Sequence, residues 1–246
     1  MIEIGINPIA FLSIRWYGVM VALAIVTIIL WVMWQIKKGA RISYDTLFMA
    51  AVIGIPSGVI VSRLLHVIDK WDYYVNYPQY IIGGDGLSIY GAILGAALGI
   101  WIYSRFSKFK YGYLADLIAP GLILAQTVGR IGCTINGCCY GTECSLPWAI
   151  IYTHPDSLAP QGTAVHPTTV YEIIFLLIIF GVIMLLKDRL RPDGSLFLVY
   201  LSFYSAWRIG IDFIRDGTAF IPLFDEDGVL TVAINDPLNF HYAPMR

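Results

Sequence analysis

Charge is what this chain has least of. Only 13% of its 246 residues are charged while 58% are hydrophobic, where soluble domains average about a quarter charged. A net charge of −1 provides no basic face for nucleic acid. Cysteine is missing everywhere except Cys133, Cys138, Cys139 and Cys144, so any cysteine chemistry is confined to one short stretch. Positive charge is missing from Met1 to Leu12, and the apolar run that follows is longer than a signal-peptide core. That run reads as a retained helix. Short alternating segments are missing too, which excludes a closed barrel. So is C-x2-C spacing, which counts against a structural metal site.

What is present is a series of apolar runs of membrane length, which needs roughly 17–25 residues. They are Ile14–Ile36, Leu47–Ile68, Leu87–Tyr103, Leu114–Ile131, Thr169–Leu186 and Ser195–Ile214. Backbone groups in lipid must be satisfied within the segment, so the runs are predicted helices. The fold class is an all-α polytopic membrane protein with about six spans. Trp16, Tyr17, Trp31, Trp34, Trp101 and Tyr103 sit near span ends, as interfacial anchors do. Gly91, Gly95 and Gly99, and likewise Gly54 and Gly58, recur every fourth residue and predict close helix packing. Pro56 and Pro120 predict kinks.

The basic residues set an orientation. Lys37, Lys38, Arg41, Arg105, Lys108, Lys110, Lys187, Arg189 and Arg191 fall in the first, third and fifth loops, against Lys70, Arg215 and Arg246 elsewhere outside the spans. The positive-inside rule makes the odd loops cytoplasmic and turns both termini and the cysteine segment outward. Residues 1–216 then form one transmembrane domain, and 217–246 an irregular outward tail with room for a short hairpin.

Charges inside the spans are expensive unless paired or functional. Arg15, Arg63, Arg130 and Arg208 lie in or at the ends of spans, as do His66, Asp116, Glu172 and Asp212. Arg15 can snorkel to the headgroups. Guanidiniums gathered on one side make a phosphate pocket, since their planar fork binds phosphate oxygens in pairs. The competing reading is internal pairing with Asp116, Glu172 and Asp212. Asp116, four helical turns from Arg130, reads as structural. Thr168 or Thr169 can cap the fifth span, with Glu172 in its first turn. His166 sits on a loop at the outer interface, where it can take a proton near neutral pH.

The segment Gly129–Gly141 joins Arg130, several glycines and three of the cysteines. In an oxidising compartment Cys133, Cys138, Cys139 and Cys144 are expected to form disulfides that stiffen the outer loop, in one of three full pairings. A redox-active pair is the alternative.

Several stretches carry a family resemblance. They are Ile14-Arg15-Trp16-Tyr17-Gly18, Gly84–Gly91, Asp116–Pro120, Pro147-Trp148-Ala149, His166–Glu172, and Tyr204–Arg208 followed by Asp212–Arg215. Over roughly residues 11 to 217 the chain resembles prolipoprotein diacylglyceryl transferases. Their signature G-R-x-G-N-F-x-N-x-E-x-x-G is kept here at Gly129, Arg130, Gly132, Asn136 and Gly141. Cys133, Thr134 and Cys138 replace its first asparagine, phenylalanine and glutamate. The seventh helix of the family, expected after Arg215, has no matching run.

The resemblance implies a bacterial inner-membrane enzyme whose site faces the extracytoplasmic side. Its substrates would be phosphatidylglycerol and the lipobox cysteine of prolipoprotein signal peptides, joined as a thioether with release of glycerol 1-phosphate. No nucleic acid, cofactor or metal is implied. Carried onto this sequence, Arg130 and Arg208 hold the phosphate, with Arg63, Asn136, Gly132 and Gly141 in the binding site. Tyr17 and Tyr90 orient the headgroup or assist proton removal, and His166 is a second candidate base. Glu143 is a candidate for the lost carboxylate. Two other functions share the fold: a membrane thiol-disulfide protein built on the four cysteines, and a lipid-binding or transport protein without chemistry.

Overall fold

A computed structural model describes residues 1–11, 14–81, 88–107, 109–215, 222–224 and 230–232. Among them are seven α-helices: α1 Trp16–Lys37, α2 Tyr44–Asp69, the short α3 Trp71–Asn76, α4 Ile89–Phe106, α5 Tyr111–Asn136, α6 Thr168–Leu186 and α7 Ser195–Asp212. The six long ones coincide with the six predicted runs. Of these, α1, α2, α5 and α6 are long and apolar enough to cross a membrane, while α4 and α7 have 18 residues each, near the lower limit for a span. Large apolar side chains remain exposed on them, among them Ile55, Ile60, Ile93, Ile178 and Leu185. Such faces suit a lipid solvent, and the chain is a polytopic membrane protein.

The chain divides into two compact units: Val32–Ala115, and Met1–Trp31 together with Asp116–Arg246. In the first, Ser43 caps α2 through the Thr46 N–H at 3.1 Å, one of the orphan donors of a helix start. The glycine stripes then do what their spacing predicts. A Cβ on Gly91 would lie 2.5 Å from Cα of Ser62, and one on Gly95 would lie 2.6 Å from Cβ of Val61. Only bare backbone permits α2 and α4 to run this close, antiparallel to each other. At the far end of α2, buried Ser62 donates to the carbonyl of Ser88 at 2.7 Å.

In the second unit a core of Ile123, Leu176, Ile179, Ile183, Leu196 and Tyr200 joins α5, α6 and α7. Asp116 has the structural role expected of it. Its carboxylate accepts the backbone N–H groups of Gly194 at 2.7 Å and Phe197 at 2.9 Å, placing an anion on the positive end of α7. Phe175 stacks on Trp207 with ring centroids 4.1 Å apart.

Strands absent from the sequence reading cover this unit. β1 (Ile2–Ile4) pairs in parallel with β4 (Ile150–Tyr152), which pairs antiparallel with β5 (Ala164–Val165). β2 (Ile9–Phe11) and β3 (Ile14–Arg15) form a second antiparallel pair. Each strand is two or three residues long, too short for alternation to register against the long apolar runs. In the tail, β6 (Pro222–Phe224) and β7 (Leu230–Val232) pair as the short hairpin anticipated there. The remainder of 216–246 lies outside the described residues.

Candidate active site

The last turns of α5 collect the charged groups. Arg130 Nη2 lies 2.8 Å from Oε1 of Glu172 on α6. Glu172 is 3% exposed, so this is a buried pair, and either charge alone would be costly there. Tyr204 on α7 donates to the same carboxylate oxygen at 3.3 Å. Its hydroxyl also lies within hydrogen-bonding range of Arg130 and in the field of Arg208. One turn further along α7, Arg208 Nη2 pairs with Asp212 at 3.0 Å. Internal pairing, one of the two readings of the sequence, therefore holds for Arg130 and Arg208, but it does not use up the guanidiniums. Arg208 Nη1 and Nε of buried Arg215 have no hydrogen-bond partner among the described residues. Unpaired buried donors are rare, and each calls for a bound group or an explanation.

Arg15 is a correction to the sequence reading. It does not snorkel: its Nη1 donates to Oδ1 of buried Asn136 at 2.9 Å and to the carbonyl of Asp156 at 3.3 Å. Asn136 thus orients a further cation. Tyr17 lies on the same side. A Cβ on Gly132 would stand 2.8 Å from Cβ of Met20 and 3.4 Å from Cα of Tyr17, so Gly132 admits the first turn of α1 against α5.

Gly141 serves the backbone in a similar way. Its N–H donates to the carbonyl of His166 at 2.9 Å, it bridges to Arg215, and a Cβ would be 2.6 Å from both Cβ of His166 and the carbonyl oxygen of Ile214. This crossing holds Arg215 in place. The sequence reading left Arg215 among the loop charges; its signal was its place in the run from Asp212.

Other candidates have different surroundings. The His166 ring shares a 3.3 Å contact with the Tyr171 hydroxyl, which accepts from Trp148 Nε1 at 2.8 Å. Thr168 and Thr169 do not cap α6, whose N-cap is Pro167. Instead, Thr168 donates to the carbonyl of Cys139, and Thr169 accepts from Thr134 at 2.8 Å. The carboxylate facing Arg130 is Glu172, while Glu143 bridges to Val165. Arg63 and Tyr90 belong to the Val32–Ala115 unit. There Arg63 donates to the carbonyls of Ile81, at 3.0 Å, and Tyr80, and Tyr90 is 71% exposed.

The four cysteines are free thiols. Cys133, Cys138 and Cys139 converge, their sulfurs all within 4.8 Å of one another, and Arg130 Nη1 reaches Cys133 Sγ at 4.0 Å. Hydrogen bonding from the Cys133 and Cys138 thiols holds the Cys139 thiol well below its ordinary range against the effect of burial, and the Arg215 and Arg130 charges act the same way. Cys144 stands apart from this group, its N–H on the carbonyl of Ala164 at 2.9 Å.

The family model described as prolipoprotein diacylglyceryl transferase matches residues 5–234. The chain belongs to the prolipoprotein diacylglyceryl transferase family. A phosphatidylglycerol–prolipoprotein diacylglyceryl transferase of one Dehalococcoides mccartyi strain is 52% identical over 219 residues, which is 87% of this chain and 84% of that protein. The same-named protein of a second strain is 48% identical over 245 residues, covering 97% of this chain and 94% of the relative. A Clostridium perfringens enzyme, numbered 2, is 36% identical over 218 residues, 87% and 84% of the two chains. The fold puts Arg130, within the matched residues, in contact with Glu172 and Tyr204.

Proposed function

We propose that this family member transfers the diacylglyceryl group of phosphatidylglycerol to the lipobox cysteine of prolipoproteins. The observation that carries the reading is the pair of buried, unpartnered donors on Arg208 and Arg215 near the Arg130–Glu172–Tyr204 network. A departing phosphate monoester carries negative charge, and donors fixed in advance stabilise it without reorganising. The substrate's sulfur attacks the glycerol carbon that bears the phosphate. The C–S bond forms as the C–O bond breaks, and the electron pair leaves on the phosphate oxygen of glycerol 1-phosphate.

Arg208 and Arg215 hold that phosphate, and Arg130, steered by Glu172, borders it. Arg15 and Asn136 fix the polar wall beside Tyr17. The exposed apolar faces of the helices leave the acyl chains in lipid, so the protein has only to align the headgroup with the sulfur. The reaction belongs on the extracytoplasmic face of a bacterial plasma membrane. The basic residues of the odd loops support that side, and the pairing of β1 with β4 keeps the N-terminal strand on the same side as the cysteine-bearing loop.

The test is glycerol phosphate release measured beside lipidation of a lipobox-cysteine peptide, with the purified protein and phosphatidylglycerol. Arg208→Ala and Arg215→Ala are each expected to lower kcat by about 10²-fold or more, the usual effect of removing one such donor. Equal rates in the wild type and both variants would overturn the reading.

A further inference from the structure

The three converging thiols take no part in holding the phosphate. Their geometry is built rather than incidental. Cys133 lies in the last turn of α5, and the chain reverses through Gly137 at φ 71° and Cys139 at φ 62°. Cys139 is the one non-glycine residue with positive φ among those described. That conformation costs an L-residue roughly 1–2 kcal/mol. Here it turns a third sulfur toward the other two. The Cys138 N–H closes the turn on the carbonyl of Cys133 at 3.2 Å. The C-x4-C-C spacing hides the cluster from a search for C-x2-C, because the helix end and the left-handed turn, not a knuckle, bring the sulfurs together.

Three sulfurs within 4.8 Å of one another are close to a metal's coordination sphere. Zinc–sulfur bonds of about 2.3 Å in tetrahedral geometry put sulfurs roughly 3.8 Å apart, so contraction by about 1 Å closes the site. Soft thiolates select zinc-like ions over hard ones. Three thiolates around a divalent ion leave one negative charge, and Arg130 and Arg215 are the cations at hand. Among the described residues no fourth Cys, His, Asp or Glu joins the group. Structural zinc sites are closed by four protein ligands, whereas sites that act on a bound group keep one position open.

We propose that Cys133, Cys138 and Cys139 bind a zinc-class divalent ion whose open fourth position takes the thiol of the substrate cysteine. The inference rests on the transferase reading and assigns its missing activation step. The thiol releases its proton to solvent as the sulfur becomes the fourth ligand, since a coordinating thiol is deprotonated outright. The coordinated sulfur then forms the C–S bond while the C–O bond breaks toward phosphate. No electron is gained or lost overall. The thioether product is neutral and, as a weaker ligand, leaves the position open again. In this light the cysteines at two signature positions replace an amide and a carboxylate with a metal-bound route to the same nucleophile.

Cobalt(II) is the probe. Reduced, metal-free full-length protein in detergent is titrated with cobalt, and the sulfur-to-cobalt charge-transfer absorption is followed. About one ion per chain is expected, with the absorption lost in Cys133→Ser, Cys138→Ser and Cys139→Ser and kept in Cys144→Ser. A lipobox-cysteine peptide should change the spectrum, and its serine counterpart should not. Absence of the band in the wild type, its survival in the Cys138→Ser and Cys139→Ser variants, or an equal response to both peptides would overturn the proposal. The two readings fail separately. Full glycerol phosphate release by metal-free protein leaves the transferase reading standing and removes the metal. A cysteine-specific cobalt response without glycerol phosphate release keeps the metal site and removes the transferase reading.

Discussion

Glu172 had two readings in the sequence, dipole anion or partner of a buried arginine, and the fold adopts the second. In sequence it falls in the first turn of a span, where the helix dipole accounts for an anion. In the fold it is buried 2.8 Å from Arg130, and its partner lies on a different helix, which spacing along one chain segment does not reveal. Arg15 and Asn136 meet in the same way across the chain, and Arg215 reaches the site through a backbone bridge to Gly141. Arg130 and Arg208 stood out in the sequence because a charge in a span is costly unless it is paired or functional, whereas Tyr17, which an interfacial anchor also explains, was marked only by the family resemblance. Glu172→Gln should leave the buried guanidinium without its counter-charge and destabilise the protein by about 3–5 kcal/mol. Thermal unfolding in detergent checks this, and an unchanged midpoint would mean the pair carries little of the fold.

Among the elements, the α2–α4 hairpin was the most legible. Its glycine spacing is a local pattern with a single physical use, and the helices meet on it. Gly95→Leu puts a side chain where Cβ of Val61 already lies 2.6 Å away, and overpacking of this kind costs typically 1–3 kcal/mol. Gly54→Ala meets only the tip of the Ile100 side chain, at 3.0 Å, which can turn aside. The first variant should melt earlier than the wild type and the second within a fraction of that difference; equal midpoints would show that the close approach is dispensable. The short strands were not legible, since two or three residues fix no period. The cysteine turn escaped for another reason: its metal-like geometry depends on two left-handed residues, and only one of them, Gly137, is of a type that announces the conformation.

At the scale of the whole molecule, the six long helices follow from hydrophobic length alone, and the places of the basic residues propose an orientation. The lysines make that orientation testable without altering the chain. Lys37, Lys38, Lys108, Lys110 and Lys187 lie in the odd loops and Lys70 in an even one. A membrane-impermeant amine reagent applied to spheroplasts should modify Lys70 and spare the other five until the membrane is opened, as read by peptide mass spectrometry. The reverse pattern would invert the protein and move its site to the cytoplasm.

The strand Ile2–Ile4 is among the first pieces of this chain to leave the ribosome, yet its parallel partner is Ile150–Tyr152. At about 5–20 residues per second it waits on the order of ten seconds for that partner. During this interval its open edge must be kept from other strands. The surface that carries Arg15 toward Asn136 is therefore completed late, after both segments have been delivered to the same side. Assembly of the site is in this sense a check on the number of crossings: a chain that skips one span leaves these two segments on opposite faces of the bilayer.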